Sequence, residues 1–263
     1  MIKKILQIIA VIILILLPYY PITENFFPPE AQVNNETFSA YIIICAVLIV
    51  AGILLLFSCL ASNRAPGWLL FAMGLITLIP LHLGPPRMNA DLLTHAGIEK
   101  FRYALLIIAT ILLFVAGIKT IAPLKSAQSK MILLVLCITA LLNVWDNYSS
   151  FMLNRDMESW IAGGKNAEDF MMQFDFHIAW RTFARISLYV TAIALSFPLL
   201  KRQGIRKWQF AVVNIFCLAG IAFCVLCLLS GFREYYFPFM VPAIALAPAY
   251  WLGIAFLTNK QKI

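Results

Sequence analysis

Charge is what this sequence has little of. Only 12% of its residues are Asp, Glu, Lys or Arg, while 62% are hydrophobic. A soluble domain carries about a quarter charged and about half apolar residues. A chain of 263 residues has too small an interior to hide that apolar surplus, so lipid is the expected solvent.

Carboxylates are missing from one whole side. The apolar segments run over about 5–20, 39–60, 67–83, 102–121, 131–150, 179–200, 209–229 and 237–257. Threaded through these eight spans, the chain places Lys3, Lys4, Arg64, Lys119, Lys125, Lys130, Lys201, Arg202, Arg206, Lys207, Lys260 and Lys262 on one face, with no acid among them. Glu24, Glu30, Glu36, Asp91, Glu99, Asp146, Asp156, Glu158, Glu168, Asp169, Asp175 and Glu234 all fall toward the other. Short basic turns at 61–66, 122–130 and 201–208 mark the cytoplasmic side by the positive-inside rule, with both termini there. The net charge of +8 is spread over these turns rather than gathered into a groove-tracking surface, so no nucleic acid partner is expected.

Motif absences narrow the chemistry. There is no G-x-S-x-G and no serine at a readable spacing from a base, so nothing marks a nucleophilic hydrolase. Neither H-x-x-x-H nor H-E-x-x-H occurs, and His82, His95 and His177 are metal-ligand candidates by residue type alone. No metal and no cofactor is expected; His82 and His177 both fall at the outer face, where they serve at most one outer haem. Cys45, Cys59, Cys137, Cys217, Cys224 and Cys227 all lie in apolar runs, which excludes an external disulfide framework. Cys224-Val-Leu-Cys227 matches C-x-x-C but sits mid-span, where its thiols read as small hydrophobes. The N-terminus resembles a signal peptide, Lys3-Lys4 followed by Ile5 to Leu17. Pro18-Tyr19-Tyr20 stands where a small-residue cleavage site would, so it reads as a retained first span.

What is present predicts an all-α fold: a polytopic transmembrane helix bundle forming one integral membrane domain over 1–263. Only helices or closed barrels satisfy their backbone in lipid, and these runs are too long for barrel strands. Trp68, Trp208 and Trp251 near inner span ends, with Trp145 and Trp180 near outer ends, suit aromatic belts. The short loops fit a small protein of the bacterial cytoplasmic (inner) membrane.

The non-spanning segments lie outside. Residues 18–38 are expected along the headgroup surface, and Gly84-Pro85-Pro86 opens a loop that then makes one helical turn from Ala90 to His95. Within 151–178, Leu153, Met157, Trp160 and Ile161 share a helical face opposite Asn154, Arg155, Asp156 and Glu158. Gly163-Gly164 interrupts, and Ala167, Phe170, Met171 and Phe174 form a second apolar face with Asn166 as N-cap. Two amphipathic helices on the outer interface follow, or a packed loop covering the bundle. Asp156 and Glu158, two apart on a helix, point apart and read as a solvated face.

One polar constellation stands out. Fifteen residues separate Lys130 from Asp146, roughly 22 Å of helix against a hydrocarbon core of about 30 Å. Asn143 and Asp146 are therefore expected in the outer half of the bilayer, and Thr139, Asn143, Asp146, Asn147 and Ser150 line one face. On the next span His177, Arg181 and Arg185 stack at i+4 spacing, with Tyr189 extending the stripe inward. Pairing of Arg185 or Arg181 with Asp146 is expected, since intramembrane charge is costly unless partnered. The planar donor fork of arginine suits a phosphate or carboxylate. The competing reading is structural: Arg181 snorkels to headgroups and the pair only fixes helix register.

The ligand-binding candidates are thus Asn143, Asp146, Asn147, His177, Arg181, Arg185 and Tyr189, with Arg102, Arg233 and Glu234 as an outer extension. No catalytic residue is assigned. Pro238, Pro242 and Pro248 read as ordinary prolines of a membrane helix, with a transporter-like broken helix as the alternative.

The leading functional expectation is binding or translocation of an anionic solute or lipid headgroup, with membrane lipids as partners. One alternative is a non-catalytic subunit, assembly or immunity-type protein that engages an external protein partner through 151–178. The other is a membrane-embedded enzyme acting on a lipid-linked substrate.

Overall fold

A computed structural model describes residues 38–47, 64–83, 91–124, 127–167, 169–170, 175–230 and 237–259, together with Ile5 and Val50. At 81–82, 91, 175–178 and 237 the description covers the backbone alone. Among the described residues every regular element is helical and no strand occurs. The helices are α1 (Phe38–Val47), α2 (Ala65–His82), α3 (Asp91–Thr94), α4 (Ala96–Ile121), α5 (Ala127–Phe151), α6 (Leu153–Ala162), α7 (Asp175–Lys201), α8 (Lys207–Ser230), α9 (Phe237–Met240) and α10 (Pro242–Thr258). The expected span 5–20 lies outside the described residues apart from Ile5, and 39–60 is described as helix through Val47.

Four helices, α4, α5, α7 and α8, are long and apolar enough to cross a membrane. Their length follows from unbroken runs of helix-tolerant apolar residues, each exceeding the roughly 20 residues a hydrocarbon core requires. Five helices close into a ring: α4 packs on α2 and α5, α7 packs on α5 and α10, and α10 returns to α2. Outside that ring, α8 lies against α7 and α10.

The shared core contains Leu70, Met73, Leu105, Leu113, Leu136, Tyr189 and Trp251, all almost fully buried. Small residues bring the backbones together, as in membrane bundles generally. A Cβ on Gly253 would sit 2.8 Å from the Phe71 backbone nitrogen, and one on Gly74 would overlap the Tyr250 ring. Outward faces of α5 and α8 stay apolar and exposed, with Leu141, Ile215, Leu218 and Leu229 projecting from the bundle. Trp251 departs from the belt expectation. It is buried, edge-on to Trp208 at 5.9 Å, because the face of α10 that carries it turns into the ring.

The last apolar run, expected as one segment over 237–257, is two helices. Pro242 lacks an N–H and fits the first turn of α10. Val241 between α9 and α10 is extended, with φ −71° and ψ 125°. The break exposes the carbonyls of Phe239 and Met240 to other elements. At the opposite end of α10, Asn259 Nδ2 donates to Gly204 O and to Gln209 Oε1, both at 2.9 Å. Gln209 Oε1 also accepts the Arg206 N–H at 2.8 Å, the reach-back half of a capping box that opens α8.

The segment after α5 packs rather than spreads. Leu153 and Met157 of α6 are buried with Leu92 of α3 and Phe170. The predicted apolar face is only partly right: Ile161 is exposed and Asn154 is buried, because the packed side follows Leu153 and Met157. The chain leaves α6 through Gly163 and Gly164, the latter left-handed at φ 75°. Trp160 Nε1 then donates to Asn166 O at 2.7 Å. Of the second expected helix, 168 and 171–174 lie outside the described residues, and only single helical-type turns appear at 167 and 169–170.

Candidate functional site

Asp146 is the hub. It sits on the buried stripe of α5 with Thr139, Asn143, Asn147 and Ser150, all buried as the spacing predicts. Across the α5–α7 contact, Arg185 Nη2 donates to Asp146 Oδ2. Arg181, one turn along α7, places its Nε 3.4 Å from the other oxygen, Oδ1. One carboxylate is thus divided between two guanidiniums.

Every nitrogen of Arg185 has an acceptor. Its Nη1 donates to Asn143 Oδ1 at 3.1 Å and its Nε to the Met240 carbonyl at 2.8 Å. Such full pairing is what a buried guanidinium requires, since desolvation otherwise outweighs the Coulombic gain. Asn143 is held in turn: its Nδ2 reaches Thr139 O at 2.9 Å, Ala184 O at 3.1 Å and Ser187 Oγ at 3.2 Å. Further along, Thr139 and Thr191 hydroxyls meet at 2.8 Å.

Arg181 differs. Its side chain is 18% exposed, against 4% for Arg185 and 3% for Asp146. Its Nη2 donates to Ser150 Oγ at 3.1 Å, one turn beyond Asp146. Asn147 Nδ2 donates back to Asn143 O at 2.8 Å, while its Oδ1 is buried without a partner. An unmatched buried acceptor costs about 1–3 kcal/mol.

The sequence-derived candidates therefore separate. Asn143, Asp146, Arg181 and Arg185 are joined directly, and Asn147 is attached through Asn143. Tyr189 is fully buried and donates to the Phe239 carbonyl at 3.1 Å. Its ring fills the space a Cβ on Gly220 would need, so it serves the α7–α8 contact. The side chain of His177 lies outside the described atoms, and Arg233 and Glu234 lie outside the described residues.

Arg102 belongs to a second cluster. Its Nε and Nη2 grip Glu99 at 2.9 and 3.3 Å. Nη1 donates to Pro80 O at 2.7 Å and Nη2 to Leu83 O at 3.2 Å, satisfying carbonyls left over where α2 ends. Tyr103, buried on α4, is within electrostatic reach of Glu99, Arg181, Arg102 and Asp146.

Three contributors were not found from sequence. The Met240 and Phe239 carbonyls are backbone atoms, and only the flanking Pro238 and Pro242 signalled them. Tyr103 carried no signal beyond its place one residue past Arg102.

Two other features bear on ligands. His95 Nδ1 lies 2.8 Å from Thr94 Oγ1, and among the described residues no three His, Cys, Asp or Glu side chains converge as a metal site would need. A groove of about 340 Å³ runs along α5 between Ala140, Leu141, Val144, Trp145 and Tyr148. It is apolar and lies on the face opposite Asp146, so it does not lead to the charges.

The fold and the buried ion cluster define a helical membrane protein. Compared with protein-family models, curated proteins and solved structures, the chain matches none.

Proposed function

We propose an eight-span protein of the bacterial cytoplasmic membrane, with both ends cytoplasmic, that binds an anionic group at Arg181 in the outer half of the bilayer. The group is the phosphate or carboxylate of a lipid headgroup or a small solute. One observation carries the reading: two arginines share Asp146, yet only Arg181 reaches the surface. Arg185, Asn143 and Asp146 form a buried base beside the partly exposed Arg181, and a planar guanidinium suits a phosphate or carboxylate.

Binding is better supported than translocation. Inward of the cluster, the described residues meet in a filled contact between α5 and α7, with Thr139 against Thr191 and Leu136 and Tyr189 buried. A second reading, a docking subunit for an external protein, draws on α6, whose Arg155, Asp156, Glu158 and Ile161 are exposed.

The test is lipid retention in nanodiscs, read by native mass spectrometry. Wild type is expected to retain phosphatidylglycerol, and Arg181→Gln to lose about tenfold in affinity, the value of one charged hydrogen bond. Unchanged retention by folded Arg181→Gln overturns the assignment.

A further inference from the structure

The described acidic residues are sorted to one end of the bundle, where α4 begins, α5 finishes and α7 begins. The opposite end has none among the described residues. Thr139 meets Thr191 and Asn143 meets Ser187, so α5 and α7 run antiparallel. Nine residues further toward that opposite end, Lys130 of α5 stands level with Leu200 of α7. Lys130, Lys201, Arg206 and Lys207 are exposed there and Arg202 is partly exposed. None of the five forms an ion pair among the described residues.

Four of these cations occupy the turn Lys201–Lys207 between α7 and α8. The turn is clamped. Gln203 is left-handed at φ 56°, and the Gly204 N–H donates to Leu199 O at 2.8 Å. A Cβ on Gly204 would stand 2.5 Å from the Phe256 ring, and the Gly204 carbonyl accepts Asn259 Nδ2. A turn fixed in this way presents its charges with little further ordering cost.

Donors outnumber acceptors in this turn. Arg202 makes no hydrogen bond among the described residues, and its Nη2 is covered without a partner. Burial without a counter-charge pulls its pKa below the ordinary guanidinium value. At the start of α8, the Lys207 and Trp208 N–H groups find no acceptor among the described residues. Gln209 folds its amide back so that Oε1 accepts the Arg206 N–H, which leaves Nε2 buried and unmatched. Against these donors stands one unmatched acceptor among the described residues, Asn259 Oδ1. A helix start is the positive end of the backbone dipole and favours acids. The start of α8 has no acid and carries Arg206 and Lys207 instead.

Depth selects the partner. Lys201 closes one helix long enough to cross a membrane and Lys207 opens another, so the turn lies at headgroup level. Trp208, 41% exposed in the first turn of α8, suits the same layer.

We infer that the α7–α8 turn is a seat for the phosphate of an anionic phospholipid, held by Arg202, Arg206 and Lys207 against the start of α8. A guanidinium offers phosphate a planar pair of donors, and a helix start offers it backbone N–H groups. The seat lies at the end of the bundle away from Arg181 and does not depend on the reading of that residue.

The experiment places full-length protein in phosphatidylcholine nanodiscs doped with phosphatidylglycerol that carries a photoreactive diazirine near its headgroup. Crosslinked peptides are mapped by mass spectrometry, which separates this end from the Arg181 end. Phosphatidylcholine with the same diazirine is the reference. The peptide covering 197–213 is expected to be labelled about tenfold more by the phosphatidylglycerol probe, and Arg202→Gln to cut that enrichment about fivefold, the worth of one basic side chain at an anionic headgroup. Arg202→Lys keeps the charge without the fork and is expected to fall between the two. Lys119→Gln with Lys130→Gln removes two charges from the same end and is expected to leave the enrichment in place. Salt gives a reading that needs no variant: raising it from about 0.05 to about 0.5 M should lower the enrichment severalfold in wild type.

Equal labelling by the two probes in wild type, or an enrichment that ignores salt, overturns the seat. So does a loss in the Lys119 and Lys130 double variant as large as that in Arg202→Gln, since the charge then acts as a diffuse field. Loss of the enrichment on adding soluble glycerol phosphate at constant ionic strength overturns the lipid as the occupant.

Discussion

The two buried ion clusters stand at the same end of the bundle, where α4 begins and α5 finishes, and they follow opposite plans. Arg102 and Glu99 are one cation and one anion, three residues apart on one helix. The remaining donors of that arginine close off α2 at Pro80 and Leu83. Asp146 instead serves two cations from another helix, one sealed and one 18% exposed. That pair lies within one helix and caps the end of its neighbour. A carboxylate divided between helices, with one of its cations at the surface, joins the packing of the bundle to whatever lies outside.

The widest separation between the clusters should come from removing the hub. Asp146→Ala leaves Arg185 buried without its counter-charge, at a cost of about 3–5 kcal/mol. Thermal melts in detergent should show gross loss of folded protein, and a near-normal melt would mean that the cluster is not dry.

Paired replacements sharpen the contrast. Glu99→Leu with Arg102→Met exchanges a neutral pair for apolar groups and should recover part of the roughly 3–5 kcal/mol that either single change loses, the Pro80 and Leu83 carbonyls losing their donor. Asp146→Leu with Arg185→Met should recover much less, because Asn143, Met240 and Arg181 all lose a partner. Equal recovery in a double-mutant cycle would erase the distinction.

Arg181→Gln should be the mildest in stability, about 1 kcal/mol or less for a partly exposed pair, yet it should carry the binding defect. A stability loss as large as that of Asp146→Ala would move Arg181 into the structural group.

The topology that gives these clusters their side is open to a cheaper check. A cysteine placed at Glu158, exposed on α6, should react with an impermeant thiol reagent added to the periplasmic side. Labelling only from the cytosol would reverse the threading.

The stripe on α5 was legible because polar residues at i, i+4 and i+7 in an apolar run have one physical meaning: they share a face that avoids lipid. Arg181 and Arg185 were legible for the same reason, since a guanidinium within a span needs a carboxylate and Asp146 was the acid at matching depth. Arg102 misled. Its acceptors include Glu99, just outside the predicted span, and two carbonyls, and no residue identity encodes a carbonyl that a helix end leaves unpaired. Met240 escaped for that reason too. The proline density that produced it was visible, but an ordinary membrane proline looks the same until the neighbouring helix is in place. Trp251 shows a further limit: an amphipathic residue near a span end reads as interfacial, and only the facing helix decides whether it is covered.

The gap at Val241 has a mechanical consequence. Two successive carbonyls, Phe239 and Met240, hold Tyr189, Cys224 and Arg185 at once, with sulfur at 3.7 Å the loosest of the three. Sliding α7 by a single turn strands both of its donors together, so intermediate positions gain nothing. The joint acts as a detent, locking the axial setting of α7 against the final helix pair.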